Sequence, residues 1–531
     1  HRERVRKGLQ IPPVVLPTFN PSQLSDKQTG GSTSSEGSSV LDRYNVPSQA
    51  EMGRARKELS ILGWKQELEP QKVIVMSVLD EFSRACFSPH ASLVEPRPDN
   101  WEGLLDTYRP RFLFVESAWK GNQGAWQYRI SSYAHPPGDE LAKMVEGFHS
   151  KGLPTVFWNK EDPVHFNNFI ANASKFDVIF TTAAEAIPMY RKVCQARVGV
   201  LQFAAEDSLH NPIGSGKRNG KVCFAGSFYA NRFKERMDDQ LMLLDAASEF
   251  DLDIFDRNYQ HDSRGRSDFA FPERYDRFVR GRLPYREMGK AYREYSVFLN
   301  VNSVIDSPTM FSRRVFELLA CGTPVVSTWC RGIEETFGDD IVWQVKSLDE
   351  AKDAIRTLLE DEREWKRRSL KGIRAVLSWH TFRHRFIDVC RFIGIDVPTL
   401  ELDMDVHVLA MVADKEEARF VAEAFRRQEV DGRIRKRLLL FSASELDGIA
   451  DKDIEVVAGV DSSIVDLVTR LQGGGSRCRA IAVFSPKSVY GKYYLQDLLH
   501  ALRYSRADVV GKPLLAEQKH ARYSFGVRLD P

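Results

Sequence analysis

Short apolar runs alternate with amphipathic helical stretches along most of this chain, in two successive series. The first series spans residues 51–211, and the second spans 212–395 and opens with a Gly-, Lys- and Asn-rich joint at 212–220. Such alternation is typical of parallel sheets in which a helix follows each strand. It predicts an α/β protein with two doubly wound, Rossmann-like domains. Neither series contains a GxGxxG turn, which argues against a dinucleotide-dependent dehydrogenase.

The strands themselves are predicted from apolar runs bounded by polar or turn residues. In the first series they are Val73–Leu79, Phe112–Glu116, Thr155–Trp158, Val178–Thr181 and Val198–Leu201. In the second they are Lys221–Ala225, Leu252–Phe255, Val297–Leu299, Pro324–Ser327 and Ile341–Val345. A third, smaller α/β module is predicted at 403–531, with strands at Val406–Val412, Arg437–Phe441 and Ala480–Phe484.

Residues 1–50 are predicted to form a disordered or loosely packed tail. Segment 21–40 is rich in Ser, Gly and Thr and almost free of apolar residues. Such a segment buries too little apolar surface to offset the entropy lost on ordering.

The charge balance and the apolar pattern exclude several classes of partner. The 75 basic and 73 acidic residues nearly cancel, so no nucleic acid or other bulk polyanion is expected as a partner. No run approaches 18 uninterrupted apolar residues, so we expect no transmembrane segment, although peripheral membrane contact stays open. The seven cysteines are scattered and form no CxxC pair, which favours buried thiols in a reducing cytoplasm.

The segment VFLNVNSVIDSPTMFSRRVFELLACGTPVVST, residues 297–328, predicts strand, polar loop, short helix, Gly-Thr-Pro turn and strand. A loop of small and hydroxyl residues before a helix N-terminus suits a diphosphate, because free N–H groups and the helix dipole both favour an anion. Glu317 is a carboxylate inside this otherwise apolar helix. It could accept the two hydroxyls of a nucleotide ribose, or it could form a salt bridge with Arg313 or Arg314.

In open α/β sheets ligands bind at the carboxyl ends of the strands, so the loops that follow the strands identify candidate residues. In the first domain these loops contain Asp80-Glu81, the segment 116–122, and the motif WNKEDPVHF at 158–166. That motif carries an amine, two carboxylates and an imidazole, which could bind sugar hydroxyls, orient an acceptor or move a proton. The alternative is a helix start with Asp162 as N-cap, Pro163 as first helical residue and solvated charges around them.

In the second domain the corresponding loops contain Gly226, Ser227 and Tyr229 with Arg232 in FAGSFYANRFKER, and then Asp256. Arg232 could neutralise a diphosphate while the glycine turn lets the backbone approach it. A solvated basic helix start is the alternative. His380 and His384 are spaced for zinc, but no third ligand accompanies them, so we predict no metal site.

Residues 73–395 resemble the GT-B glycosyltransferases, specifically the CgeB-like, spore-maturation-type group related to glycosyltransferase group 1. The phrases that carry the resemblance are LDEF, FVESAWKGN, TVFWNKEDPVHF, FDVIFTT, FAGSFY and SPTMFSRRVFELLACGTPVVST. It implies two domains facing a cleft, with the nucleotide-sugar donor on the second domain and the acceptor on the first. It also implies a closing helix at about 379–392 and no cofactor besides the substrate.

The resemblance also implies roles for individual residues. Glu317 corresponds to the ribose-binding glutamate, and Gly226, Ser227 and Arg232 correspond to the phosphate loop. The loop for sugar and diphosphate comprises Ser307, Pro308, Thr309, Met310 and Phe311. Retaining relatives often have a second glutamate eight positions before the ribose glutamate. Here that position is Thr309, so the stereochemical outcome stays open.

The C-terminal module resembles part of a GT-A-type transferase domain through VYGKYYLQDLLHALRYSRADVVGK at 489–512. The segment at 484–488, where active domains of that type carry metal-binding aspartates, has no carboxylate. We therefore expect a degenerate module that serves packing, acceptor binding or oligomerisation.

Together these observations predict a metal-independent glycosyltransferase that moves a sugar from a nucleotide-sugar to a carbohydrate, protein or other acceptor. Acceptor chemistry is assigned to Glu161, Asp162 and His165, with Asp80 or Glu81 as alternative bases. Arg313, Tyr229 and Asp256 are added to the donor site. The residues assigned to acceptor binding are Glu116, Trp119, Asn122 and Lys160. The alternatives are a non-catalytic nucleotide-sugar-binding scaffold and a sugar-nucleotide 2-epimerase.

Overall fold

Most of the chain beyond residue 67 is described by the computed structural model, which covers 68–132, 138–229, 234–259, 269–397, 404–431, 433–443, 445–458, 478–513 and 523–528. All of these residues belong to one compact unit, Lys57–Pro531. The tail predicted at 1–50 and the predicted phosphate ligand Arg232 lie outside the described residues.

The first domain is built on six parallel strands in the order β2-β1-β3-β4-β5-β6. The strands are β1 (Ile74–Val78), β2 (Ser92–Val94), β3 (Phe112–Glu116), β4 (Thr155–Asn159), β5 (Val178–Thr181) and β6 (Arg197–Val200). The helices are α1 (Glu81–Phe87), α2 (Trp101–Tyr108), α3 (Glu140–Ser150), α4 (Phe166–Ala173) and α5 (Ile187–Val193). Strands β3 and β4 are buried along their whole length, which is why both appear in the sequence as nearly continuous apolar runs.

The second domain is built on five parallel strands in the order β11-β10-β9-β7-β8. The strands are β7 (Val222–Gly226), β8 (Leu252–Asp256), β9 (Val297–Asn300), β10 (Val325–Thr328) and β11 (Trp343–Val345). The helices are α6 (Lys234–Ala247), α7 (Tyr285–Glu294), α8 (Arg314–Ala320), α9 (Arg331–Phe337) and α10 (Leu348–Glu360). The predicted fold class, α/β with two Rossmann-like parallel sheets and a smaller α/β module, is confirmed.

Two further helices connect the domains a second time. Helix α11 (Glu362–Trp379) contributes Val376 and Leu377 to the core of the second domain. The chain then crosses back, and helix α12 (Phe382–Phe392) packs on the first domain, with the Phe382 ring 5.0 Å from that of Phe87. Helix α12 corresponds to the closing helix expected at about 379–392. The two domains are therefore connected twice by the chain, near Ala205 and near Thr381, where the two segments form a parallel bridge.

The C-terminal module has a mixed sheet in the order β14-β13-β12-β15-β17-β16, in which β17 runs antiparallel to both of its neighbours. Its elements are β12 (Met404–Met411), α13 (Lys415–Arg426), β13 (Ile434–Ser442), β14 (Ile454–Ala458), β15 (Cys478–Val483), α14 (Tyr494–Ser505), β16 (Val509–Pro513) and β17 (Tyr523–Arg528). Arg374 of α11 donates to both oxygens of Asp497, at 2.7 and 2.9 Å, which fixes the module to α11. Its relation to GT-A domains and its role in oligomerisation stay predictions. Among the described helices, none is both long and apolar enough to cross a membrane.

Candidate functional site

A cavity of about 1170 Å³ lies between the carboxyl ends of the two parallel sheets, and we call it the cleft. One wall comes from the loops that follow β1, β3 and β4 of the first domain, and the other from the loops that follow β7, β8 and β9 and from the start of α8. This is where an open α/β sheet places a ligand, because the strand ends leave backbone groups and side chains facing a crevice.

The second-domain wall combines an open backbone turn with arginines. A Cβ built on Gly226 would lie only 2.9 Å from the Phe224 ring and 3.9 Å from Arg314 Nη1, so a bare backbone faces the cleft beside a guanidinium. Arg314 Nε is buried and has no hydrogen-bond partner among the described residues. Arg236 donates to Gln240 at 2.9 Å and lies over the Tyr229 ring at 5.3 Å. Two cations therefore flank the Gly226–Ser227 turn.

Glu317 lies at the floor of this wall, where its side chain is 1% exposed. Tyr292 donates its hydroxyl to Oε2 at 2.8 Å, and Arg313 donates Nη1 to Oε1 at 2.8 Å. Burial acts to raise the pKa of Glu317, but Arg313 and His210 outweigh it and hold the pKa below its usual range. The side chain is therefore an ionised carboxylate, and each oxygen keeps a lone pair for a further donor. The salt bridge considered for Glu317 is present, and ribose binding stays a prediction.

The first-domain wall contains a Lys-carboxylate cluster. Lys160 Nζ lies 2.9 Å from Glu116 Oε1 and 3.3 Å from Asp80 Oδ2. Asp80 also accepts the backbone N–H groups of Trp119, Lys120 and Gly121 at 2.9–3.3 Å. Burial raises the pKa of Asp80, but Lys160 and these amides outweigh it, so the pKa is lowered. Asp80 therefore orders the loop after β3 and has little basicity to offer an acceptor.

That loop depends on a glycine. Gly121 has φ +54°, and a Cβ on it would lie 2.9 Å from Val78 and 3.0 Å from the Trp126 side chain. Only glycine adopts this turn without strain. Asn122, the next residue, is buried and donates to the carbonyls of Ser77 and Pro96, so it fastens the loop to β1 and does not line the cleft.

The WNKEDPVHF motif divides between the cleft and the interior. Lys160 and Glu161 line the cleft, whereas the side chain of Asp162 is fully buried beneath it. Asp162 accepts from Asn159 at 2.8 Å, Thr181 at 2.6 Å and Tyr190 at 2.8 Å. Burial is the main reason that its pKa rises to about 6.

The alternative interpretation of this motif, a helix start with Asp162 as N-cap, is wrong. Helix α4 begins at Phe166 with His165 as its N-cap residue, so Asp162 caps no helix and Pro163 is not its first residue. His165 is half-buried, with its ring 5.3 Å from that of Trp119, and it does not line the cleft.

The predicted site residues that the structure describes fall into two groups. Those that line the cleft are Asp80, Glu81, Trp119, Lys160, Glu161, Gly226, Ser227, Tyr229, Met310, Phe311, Arg313 and Glu317. Those placed elsewhere are Glu116, Asn122, Asp162, His165, Asp256, Ser307, Pro308 and Thr309. Burial raises the pKa of Asp256, whose carboxylate accepts the N–H of Asn258. The second group does not line the cleft in this structure, and the roles assigned to its members stay predictions.

Several residues that line the cleft were not predicted as ligands from the sequence. They are Arg236, Arg282, Tyr292 and Asn302. Arg236 had a recognisable signal, because it follows the predicted Arg232 by four positions in the same basic segment of the sequence. Tyr292 had none, since it comes from the helix before β9 and reaches Glu317 only in the folded chain. Within the described residues, no three His, Cys, Asp or Glu side chains are grouped to hold a metal ion.

Comparison with known proteins assigns part of the chain to a class. Residues 240–391, less than a third of the 531, match the family model described as "Glycosyl transferase-like". This match confirms the predicted enzyme class, a glycosyltransferase. No curated protein matches the chain.

Three solved structures illustrate the similarity in fold. Sucrose-phosphate synthase from Thermosynechococcus elongatus is 13% identical with a TM-score of 0.37, over 60% of this chain and 84% of that one. A glycosyltransferase from Rickettsia africae is 12% identical with a TM-score of 0.40, over 64% and 91%. HepE from Anabaena, solved with UDP and glucose, is 12% identical with a TM-score of 0.38, over 60% and 91%. Similarities this distant add nothing about substrate or mechanism.

Proposed function

We propose that this chain, whose residues 240–391 form a glycosyltransferase-like domain, transfers a sugar from a nucleotide-sugar to a hydroxyl-bearing acceptor without a metal ion. The observation that carries the proposal is that two chemically different walls face each other across one cleft. The second-domain wall has an open glycine turn, arginines and a buried carboxylate. The first-domain wall has carboxylates beside an aromatic ring.

The donor would lie on the second-domain wall. The guanidinium of Arg314, which lines the cleft beside the Gly226 turn, is expected to donate to a phosphate oxygen, since a charge-assisted hydrogen bond is strong. Arg236 and the N–H groups of the Gly226–Ser227 turn would share the diphosphate charge. They are in place before reaction, so they would stabilise the negative charge that develops on the leaving diphosphate. We assign to these cations the work that a metal ion does in metal-dependent transferases.

The acceptor would lie on the first-domain wall, with Glu161 as its base. Among the described residues, four carboxylates line the cleft: Asp80, Glu81, Glu161 and Glu317. Asp80 is occupied by Lys160 and three amides, and Glu317 by Arg313 and Tyr292. Glu161 is half-buried just after β4. Its backbone N–H donates to Asn159, but its carboxylate makes no hydrogen bond to another described residue. Glu81 is exposed at the start of α1 and is the second choice.

Thermal-shift measurements with UDP-, GDP-, dTDP- and CMP-sugars test the proposal. A nucleotide-sugar that binds only the folded chain at 100 times its Kd adds about 2.7 kcal/mol to the free energy of unfolding, so one of them should raise Tm. That compound should then release its nucleoside diphosphate when mono- and oligosaccharide acceptors are added. No shift with any donor would contradict the proposal. Binding without release would favour the scaffold, and conversion of the donor sugar without acceptor would favour the epimerase.

A pair of neighbouring substitutions tests the catalytic assignment. Glu161→Gln should lower kcat roughly 100-fold or more, the usual contribution of a general base, while the donor Kd is retained. Asp162→Asn is the matched control, because the hydrogen bonds of Asp162 all lie inside the first domain, and it should retain most turnover. Both are measured by nucleoside diphosphate release at saturating donor. A loss confined to Asp162→Asn would return the catalytic role to Asp162.

A further inference from the structure

The turn Ser307–Thr309 belongs to the second domain by sequence, but its hydrogen bonds cross to the first. Thr309 Oγ1 donates to the carbonyl of Thr182 at 2.8 Å and accepts the N–H of Ala184 at 2.9 Å. Gln202 Nε2 donates to the Thr309 carbonyl at 3.1 Å. Ser307 Oγ donates to Glu185 Oε2 at 2.8 Å. A single residue, Thr309, therefore takes part in three bonds across the domain boundary.

The residues after this turn lead directly into the cleft. Met310 lines the cleft and packs against the core of the first domain, whereas Phe311 lines it from the core of the second. Arg313 then places its guanidinium 3.7 Å from the centre of the Phe82 ring, which belongs to the first domain. Helix α8, which carries Arg314 and Glu317, starts at the next residue. A shift of Thr309 relative to the first domain would thus move the whole start of α8.

We propose that the Thr309 hydroxyl is a positioning group, which fixes the donor-binding start of α8 against the first domain although Thr309 does not line the cleft. The inference rests on the proposed function, because the donor is what the start of α8 is positioned to receive. The hydroxyl suits this role because it donates to one backbone group of the first domain and accepts from another. A valine side chain has the same shape and can do neither.

Donor affinity in three variants tests this role, with the nucleotide-sugar that gives the largest thermal shift as the probe, starting from UDP-glucose. Thr309→Val should weaken the donor Kd roughly tenfold, a typical size for coupling between sites. Thr309→Ser keeps the hydroxyl and should restore the affinity to within a few-fold of the unmodified protein. Thr155→Val is the control within the first domain: it also removes a threonine hydroxyl, here a fully buried one that bonds Asp177. It should lower Tm without weakening donor binding.

Gln202→Met gives a second route if Thr309→Val fails to fold, since it removes only the bond to the Thr309 carbonyl; it should weaken donor binding several-fold. Donor affinity unchanged in Thr309→Val, or in Gln202→Met where that variant is used, would overturn the inference and leave the proposed function intact. An equal loss of affinity in Thr155→Val would reduce Thr309 to a contributor to stability. An unmodified protein that binds no nucleotide-sugar would overturn the proposed function together with the inference.

Discussion

Replacing Glu317 by glutamine is expected to weaken binding of the nucleotide-sugar by about 10- to 100-fold. The carboxylate is ionised, 1% exposed and part of the cleft lining. Two charge-assisted hydrogen bonds to ribose hydroxyls would be lost or weakened, each worth about 1.5–3 kcal/mol. Glutamine keeps the shape of the side chain and removes the negative charge that pairs with Arg313. Isothermal calorimetry with the nucleotide-sugar measures the change.

Tyr292→Phe is the control for this result. It removes the 2.8 Å hydrogen bond to Glu317 but leaves the carboxylate charge and its pairing with Arg313 in place. The loss of affinity should therefore be much smaller than for Glu317→Gln. Unchanged binding in Glu317→Gln would contradict the ribose assignment. The role of Glu317 would then be limited to its salt bridge with Arg313.

Replacing Arg314 by methionine is expected to lower kcat/KM roughly 100-fold or more, within the range seen when one donor to a developing anion is removed. The guanidinium stands beside the Gly226 turn, with its buried Nε unpartnered among the described residues. Methionine keeps much of the side-chain length and removes the charge. Since the charge is assigned to the diphosphate, the variant should lose more affinity for a nucleoside diphosphate than for the corresponding nucleoside. Steady-state kinetics measures kcat/KM, and calorimetry measures the affinities for the nucleoside diphosphate and the nucleoside.

Arg331→Met is the matched control on the same domain. Arg331 lies in α9 and pairs with Glu335 at 2.7 Å, with both side chains about half exposed, so the pair contributes little. The variant should keep both kcat/KM and donor affinity. If Arg314→Met lost affinity equally for the nucleoside and the nucleoside diphosphate, the guanidinium would contact the nucleoside and the phosphate assignment would be wrong.

The sequence predicted most strands of the first two domains, because most of them are buried and appear as apolar runs. All ten strands predicted for the first two domains are present within about two residues of their predicted ends. The strand missed in these domains, β2, has only three residues, which are too few to show an apolar run. In the third module β14, β16 and β17 were missed. Residues Val509–Pro513 end in proline and Ile454–Ala458 are partly exposed, so neither presents a continuous apolar run.

The candidate site shows a different limit. The rule that ligands bind at strand ends located the loops of both walls, because it depends only on where apolar runs stop. It could not tell which side chain of a loop faces the cleft. Glu161 and Asp162 are adjacent and chemically alike, yet one lines the cleft and the other is buried under three hydrogen bonds.

What the sequence determined by itself was the parallel, twice-repeated architecture, the position of the cleft and the carboxylate Glu317 at the start of a buried helix. These follow from local periodicity and from the turn residues that end each element. What only the tertiary structure decided was the partner of each polar group. Thr309 bonds the first domain only because the two domains pack face to face, and Arg314 lies beside the glycine turn only because folding of the second domain brings β7 and α8 together. No local pattern encodes such a contact.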